Sequence, residues 1–225
     1  MIAQALVKGA LALTALAPQT VLTRYEIALQ TLKEPPAYSV DYSFEHRGQR
    51  PQDRHDRIYR QGASERVEII SVNGEKLTRP QVQIYRDRPD RYAIARLAPA
   101  PAAYAFTYVG PLRAGRKFDY VFDTTPSAPG PFAITQVTID GASFLPKSVK
   151  FATTATAVAV VEGKGEVVYA KVNRFWVPVS ASARAKVGTA VESERISWSA
   201  YRFFSSLPSS TFAQPKPAAT LPPAA

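Results

Sequence analysis

The sequence predicts a mainly β protein of the α+β class. Its core is a strongly curved antiparallel sheet, a half-open β-barrel, with one N-terminal amphipathic helix packed on the apolar face. Residues 18–34 repeat their apolar side chains with a helical period of about 3.6. The apolar period then changes to 2, and short strand-like segments follow one another as far as residue 204. Strands and helices do not alternate, which argues against a parallel α/β sheet.

The composition is that of a globular protein with a basic surface. The chain has 225 residues, of which 46% are hydrophobic and 20% charged. It contains no cysteine, which excludes disulfides, cysteine-ligated metals and thiol catalysis. Its 28 Lys and Arg against 18 Asp and Glu give a net charge of +10. Such a charge favours an anionic partner, either nucleic acid or a lipid-headgroup surface.

The two ends of the chain differ from its middle. Residues 1–17 form a candidate export signal, in which Lys8 precedes a short apolar run that closes with Ala15-Leu16-Ala17. The alternative is an ordinary apolar N-terminal helix. Residues 18–212 are expected to form one domain, and residues 213–225 a disordered Pro/Ala tail. The export interpretation places the mature, soluble protein in the periplasm or outside the cell.

The helix prediction rests on one apolar stripe. Thr20 is its expected N-cap, Lys33 suits its last turn, and Pro35-Pro36 ends it. The residues of the stripe are Val21, Leu22, Tyr25, Ala28, Leu29 and Leu32.

The strands are predicted from alternation and from turn residues. Tyr38, Val40, Tyr42 and Phe44 alternate with polar residues in the first strand, 38–45. Further strands are predicted at 56–61, 65–72, 81–86, 91–97, 104–109, 117–123, 132–140, 147–154, 156–162, 165–171, 175–184 and 190–204. Turn sequences such as Asn73-Gly74 separate them.

The sequence carries no recognisable catalytic, phosphate-binding or metal-binding motif. The group that most resembles a ligand set comprises Glu45, His46, Asp53, His55 and Asp56. Arginines are interleaved with it and oppose a cation, so a solvated turn between two strands is expected. We therefore expect a protein that is not an enzyme and has no cofactor or metal.

Five arginines are candidates for contact with an anionic surface: Arg47, Arg50, Arg54, Arg57 and Arg60. Lipid or nucleic-acid phosphates would bind there. The alternative is that these residues form the solvated face of antiparallel strands.

Aromatic and aliphatic side chains with the period of a strand or helix are candidates for a hydrophobic cavity. They are Tyr25, Leu29, Leu32, Tyr38, Val40, Tyr42, Phe44, Tyr104, Phe106 and Tyr108. The alternative is a filled core, which periodicity cannot distinguish from a cavity.

Three local patterns, combined with an export-like start and a helix before a long run of strands, resemble one family. The patterns are Val72-Asn73-Gly74-Glu75-Lys76-Leu77, Ile139-Asp140-Gly141-Ala142-Ser143-Phe144-Leu145-Pro146, and Trp198-Ser199-Ala200-Tyr201-Arg202 followed by Leu207-Pro208. They resemble the LolA/LolB/RseB superfamily of envelope proteins. The resemblance implies a half-open barrel with a helix as lid over a hydrophobic cavity for lipid or lipoprotein acyl chains.

The leading hypothesis is a soluble, monomeric envelope protein that binds or carries molecules with acyl chains, with envelope membrane proteins as further partners. The first alternative is an envelope sensor or scaffold that binds protein partners. The second is a basic nucleic-acid-binding protein, which export would exclude.

Overall fold

The computed structural model of the chain describes residues 14–153 and 162–214. Two helices, a final 3₁₀ helix and eleven strands make up this part of the chain. The helices are α1 (Pro18–Gln30), α2 (Ile94–Leu97) and the 3₁₀ helix (Ser209–Phe212). The strands are β1 (Ala37–Arg47), β2 (Gln52–Gln61), β3 (Ser64–Val72), β4 (Glu75–Tyr85), β5 (Tyr104–Ala114), β6 (Lys117–Pro126), β7 (Phe132–Ile139), β8 (Pro146–Thr153), β9 (Glu162–Val172), β10 (Phe175–Val187) and β11 (Ala190–Phe204).

All the strands belong to one antiparallel sheet, which is open. Their order across the sheet is β4-β3-β2-β1-β11-β10-β9-β8-β7-β6-β5. Strands that are consecutive in sequence pair with each other, except β4 and β5, which lie at opposite edges of the sheet. The first strand, β1, also pairs with the last one, β11. The prediction of a mainly β fold with one open antiparallel sheet and an N-terminal helix is confirmed.

The alternating pattern of the strands gives the sheet two unlike faces. We call the face that packs against α1 the inner face. One row of directly paired residues crosses eight strands on it: Phe44, Ile196, Ala181, Val167, Val149, Val137, Phe122 and Tyr108. The neighbouring row on the outer face is polar: Glu45, Arg195, Ser182, Glu166, Lys150, Gln136 and Asp123. Burial of the inner row drives the sheet to curve around its covers.

Turn chemistry fixes the hairpin register. Asn73 and Gly74 join β3 to β4 with φ of 51° and 82°. Two successive positive φ angles define the turn whose twist matches that of the flanking strands, and Asn-Gly tolerates them at little cost.

Helix α1 is confirmed but is shorter than predicted. It begins at Pro18, with Ala17 at the N-cap and no capping hydrogen bond from a side chain, so the prediction of Thr20 as cap is wrong. Proline suits the first helical position because its missing N–H would have no intrahelical partner there. The helix ends at Gln30, and the Thr31 hydroxyl donates to the Ile27 carbonyl at 2.9 Å.

The strand predicted at 91–97 is wrong. Ile94–Leu97 is one helical turn, and residues 86–103 connect the two edge strands of the sheet. We call residues 86–103 the crossover segment. It cannot pair as a strand because it has to pass across the inner face, and Pro89, Pro99 and Pro101 lack the N–H that a ladder requires.

Some predictions fall partly or wholly outside the described residues. These are most of the export signal, nearly all of the strand at 156–162 and the tail from residue 215 onward. None of the helices in residues 14–153 and 162–214 is long and apolar enough to cross a membrane.

Candidate ligand-binding cavity

Two covers lie on the inner face, and α1 is the more apolar one. Val21 and Tyr25 are fully buried. The Tyr25 ring packs edge-on against Phe106 with centroids 6.0 Å apart, and its hydroxyl donates to the Pro99 carbonyl at 3.0 Å. Burial raises the pKa of the Tyr25 phenol, so it stays protonated and remains a donor. This half of the inner face is packed as a core.

The crossover segment is the second cover. Ile94 and Pro99 are buried in it, Tyr92 packs edge-on against Trp198, and polar groups add to these contacts. Tyr38 donates its hydroxyl to Asp90 at 2.9 Å, and the Arg88 backbone N–H donates to the Ala63 carbonyl at 2.8 Å. Burial and the neighbouring Asp90 raise the pKa of Tyr38 well above its ordinary value. Each of these bonds contributes only about 1 kcal/mol net, because water competes for the same groups.

A buried ion pair lies beneath the crossover segment. Arg60 and Glu65 are directly paired across the β2–β3 hairpin, and their side chains form a salt bridge. Arg60 also donates to the Arg88 carbonyl at 2.6 Å, and Arg88 contacts Glu65 at 2.9 Å. The charges are therefore matched by hydrogen bonds, as buried charges must be.

A cavity of about 320 Å³ opens between the two covers, at the end of α1. Such a volume lies in the range of small-molecule sites, about 300–1,000 Å³. Its wall is mostly apolar, and the side chains that form it are Leu32, Pro35, Tyr38, Ala63, Pro89, Ala93, Ile94, Ala95, Trp176, Val177 and Pro178. Four charged residues, Glu34, Arg60, Asp90 and Arg96, also line it.

Arg96 is the charged group that is available at this cavity. It is exposed and lies in the last turn of α2. Among the described residues no carboxylate forms an ion pair with it, whereas Arg60 is bound to Glu65. A ligand with an anionic group would find a free guanidinium at the rim of an apolar cavity.

A second, smaller cavity of about 80 Å³ lies deeper beneath the crossover segment. Asp56 lines it and is fully buried. One carboxylate oxygen accepts from Arg54 at 2.8–2.9 Å, whereas Oδ1 has no hydrogen-bond partner within the described part of the chain. Burial raises the pKa of Asp56, and Arg54 opposes that shift.

The predicted cavity residues lie on the inner face or on α1, except Leu32, which follows the end of α1, and they line different places. Leu32 and Tyr38 line the larger cavity, and Tyr38, Val40 and Tyr42 the smaller. The others belong to the core or pack on it: Tyr25, Leu29, Phe44, Tyr104, Phe106 and Tyr108.

The five predicted surface arginines do not share one face. Arg54 and Arg60 lie on the inner face, where Asp56 and Glu65 pair with them. On the outer face Arg47 contacts Asp53 at 2.5 Å and Arg57 contacts Asp41 at 2.8 Å. Arg50 is exposed in the β1–β2 turn. Contact of these arginines with an anionic surface remains a prediction, and four of the five already have carboxylate partners.

The group Glu45, His46, Asp53, His55 and Asp56 lies on β1 and β2, on either side of the turn that joins these two strands. Alternate residues point to opposite faces, which separates the group. His46 instead contacts Glu192 at 3.0 Å. Within residues 14–153 and 162–214 no cluster of three such side chains could hold a metal.

Sequence reasoning missed the cavity wall from the crossover segment and β10. Ile94 gives no signal because the alternation around it predicts a strand. Trp176 and Pro178 lie on β10, and alternation along a strand does not show which segment crosses it. The Arg60–Glu65 pair had a signal: a hairpin turn at Gly62 places these residues opposite each other.

Comparison with known proteins found similarity only among solved structures. No family model and no curated protein matches the sequence. A LolA superfamily protein from Nitrosomonas europaea has 12% identity and a TM-score of 0.47, over 89% of this chain and 99% of that one. A DUF1329 family protein from Desulfovibrio piger has 8% identity and a TM-score of 0.49, over 87% and 96%.

A third similar structure is a domain from Vibrio parahaemolyticus described as an outer-membrane lipoprotein-sorting protein. It has 12% identity and a TM-score of 0.49, over 86% of this chain and 96% of that one. One of these three structures is described as a member of the superfamily that the sequence motifs resemble. Likeness at this identity concerns the fold and not the ligand.

Proposed function

We propose that this protein binds an amphiphile with one acyl chain and an anionic group, and that it carries this ligand without chemical change. The observation that supports the proposal is the cavity of about 320 Å³ between the end of α1 and the crossover segment. Its apolar wall would accept the chain, and Arg96 at its rim would pair with a carboxylate or phosphate.

The polar contacts of the crossover segment give the ligand a way in. A carrier needs a cover that opens at little cost, so that cargo can be taken up and released. Helix α1, which the sequence resemblance presents as the lid, is fastened by fully buried Val21 and Tyr25. We assign the opening to the crossover segment instead, whose polar contacts can be replaced by water.

The two tryptophans of the chain provide a test. Trp176 lines the larger cavity and Trp198 the smaller one. A fatty acid brominated along its chain should quench the fluorescence of the parent protein, and the Trp176→Phe variant should lose most of that quenching. Quenching that survives in Trp176→Phe would place the chain elsewhere.

A cavity-filling substitution tests the site without changing charge. Ala93 lines the cavity, so Ala93→Trp should abolish binding of the fatty acid. Ala114→Trp, at the β5–β6 turn, is the matched control and should bind normally. Equal binding by both variants would contradict the proposal.

The head-group contact is tested by a pair of ligands. Arg96→Ala should weaken binding of a fatty acid about tenfold, since a charge-assisted hydrogen bond contributes about 1.5–3 kcal/mol. The same variant should bind the corresponding fatty alcohol as the parent does. Equal weakening for both ligands would mean that Arg96 only supports the wall.

The proposal includes export of the protein to the cell envelope as a monomer, with the lipid donor and acceptor among envelope membrane proteins. N-terminal sequencing of protein from the envelope fraction tests export. An intact Met1 in a cytoplasmic fraction would contradict it. Absence of any acyl ligand in the quenching experiment would favour the alternative, a scaffold that binds protein partners.

A further inference from the structure

The β10–β11 hairpin ends in an exposed apolar tip. Val187 and Val191 flank its turn and are 42% and 48% exposed. The turn contains Gly188, with φ of 61°, followed by Thr189. Val187 pairs with Ala190 and Val191 with Lys186, so the two exposed valines lie on opposite faces of the hairpin tip, at the end of the sheet.

Cations surround this tip on the outer face. Arg184 and Lys186 lie on β10, Lys164 on β9 and Arg195 on β11, and all four are exposed. In the described part of the chain Arg195 has one ion pair, with Glu45 at 3.8 Å, and the other three have none. We call these four cations the collar.

The register brings two cations of the collar face to face. Arg184 on β10 pairs directly with Lys164 on β9. Like charges in directly opposed positions destabilise an antiparallel sheet. An anion placed between them would relieve that repulsion, so the arrangement indicates a binding surface for negative charge.

The collar borders a depression in the outer face. Its volume is about 530 Å³, and Lys150, Lys164, Arg184 and Arg195 line it together with Glu45 and Glu166. A smaller depression of about 200 Å³ continues it toward the tip, between Lys164, Lys186 and Val191. The β1–β2 turn lies alongside, because the Gln49 N–H donates to Glu192 at 3.3 Å, and it adds exposed Arg50.

The apolar tip and the basic collar together indicate which kind of partner binds at this surface. Contact with a nucleic-acid backbone or a free phosphate ion would bury no apolar surface of the valines at the tip. They gain by entering the boundary between headgroups and acyl chains, while Lys and Arg behind them meet anionic headgroups. We propose that the β10–β11 hairpin docks this protein on an anionic lipid bilayer, with Val187 and Val191 inserted and the collar on the lipid phosphates.

Vesicle binding tests the docking surface. The protein should sediment with vesicles of mixed phosphatidylcholine and phosphatidylglycerol, should leave them as salt is raised, and should not bind pure phosphatidylcholine. Lys164→Glu with Arg184→Glu should weaken binding at least about thirtyfold, since each Lys or Arg near such a surface contributes several-fold. Both positions are exposed, so the fold should be retained, as circular dichroism can verify.

A matched variant controls for net charge. Arg116→Glu with Lys117→Glu makes the same change in charge at the exposed β5–β6 turn, at the opposite end of the sheet. It should bind nearly as the parent does. Equal losses in the two double variants, or equal binding of the parent to neutral vesicles, would overturn the proposal. Salt-sensitive binding to single-stranded DNA without vesicle binding would overturn it as well.

Insertion of the tip is measured separately. Because the chain has no cysteine, Val187→Cys can carry one environment-sensitive fluorophore. Its emission should rise and shift to the blue on phosphatidylglycerol vesicles. Leu112→Cys is the control, since Leu112 is 56% exposed on the edge strand β5. An equal response at both positions, or none at position 187, would overturn insertion, whatever the cavity binds.

Discussion

The two halves of the inner face are covered in different ways. Beneath α1 the contacts are aromatic and aliphatic, since Val21 and Tyr25 are fully buried and Tyr25 packs against Phe106. Beneath the crossover segment hydrogen bonds and ion pairs accompany apolar contacts, since Ile94 and Pro99 are buried and Tyr92 packs against Trp198, and two cavities remain. Apolar packing is lost all at once when a cover lifts, whereas water can replace polar contacts. We propose that α1 stabilises the fold and that the crossover segment regulates access to the cavity.

The largest effect is expected from truncating the aromatic anchor of α1. Tyr25→Ala should lower the free energy of unfolding by about 3–5 kcal/mol, because a large buried side chain leaves a void. Tyr25→Phe keeps the ring and should lose only about 1 kcal/mol, the bond to the Pro99 carbonyl. Urea unfolding measures both. A small loss in Tyr25→Ala would mean that α1 is itself loosely held.

The next largest effect concerns the ion pair under the crossover segment. Arg60→Met leaves Glu65 buried without its main partner and should cost about 3 kcal/mol or more. Arg60→Met combined with Glu65→Leu removes both charges and should recover most of that loss. If the double variant is as unstable as the single one, packing of Arg60 and not its charge holds this region.

A smaller effect is expected from the hydroxyl of Tyr38. Tyr38→Phe removes the bond to Asp90 and should cost about 1 kcal/mol globally. Amide exchange in residues 86–97 should rise more than exchange in α1, because the bond fastens only the crossover segment. Tyr120→Phe is the matched control, because it removes the hydrogen bond that the Leu16 N–H donates just before α1. Equal acceleration of exchange in α1 and in residues 86–97 would contradict the proposed difference between the two covers.

The smallest effect is a pH dependence from Asp56. Its pKa is raised in the folded protein from 3.8, so the folded state binds the proton more tightly than the unfolded state does. Stability from this group is therefore present at low pH and is lost as pH rises from about 3.8 through the folded pKa. Asp56→Asn should lack this loss.

Unfolding by urea at a series of pH values measures this pH dependence of stability. The difference in stability between Asp56→Asn and the parent should shift in favour of the variant as pH rises above 3.8. A difference that stays constant with pH would mean that Arg54 fully compensates the buried carboxylate.

Much of the fold could be predicted from the sequence, because its signals are local. Alternation in Tyr38, Val40, Tyr42 and Phe44 defines β1, and Asn73-Gly74 defines a hairpin. The crossover segment could not be predicted in this way. Its course depends on β4 and β5 being opposite edges, which is a property of the whole sheet. Tyr92 and Ile94 alternate with other residues as in a strand. Only the strand order of the sheet shows that they belong to the segment that covers the inner face.

The candidate site could be predicted only in part. Leu32 and Tyr38 were identified as apolar residues of the inner face, and they line the cavity. Periodicity cannot show whether apolar residues meet a neighbour or an empty space, so Phe44 and Tyr108 could not be distinguished from them. In the sequence Arg54 and Arg60 look like solvated side chains. Their ion pairs with Asp56 and Glu65 depend on strand pairing and burial, which the sequence pattern does not show.

The measurement that tests the central claim most directly is ligand binding with the crossover segment locked. Positions 63 and 88 are joined by a backbone hydrogen bond, and the chain has no other cysteine, so Ala63→Cys with Arg88→Cys allows one disulfide. Binding of a fluorescent fatty acid is measured before and after reduction of the same sample. We predict that the oxidised protein does not take up the fatty acid and that reduction restores uptake. Equal uptake in both states would contradict the claim that the crossover segment controls access to the cavity.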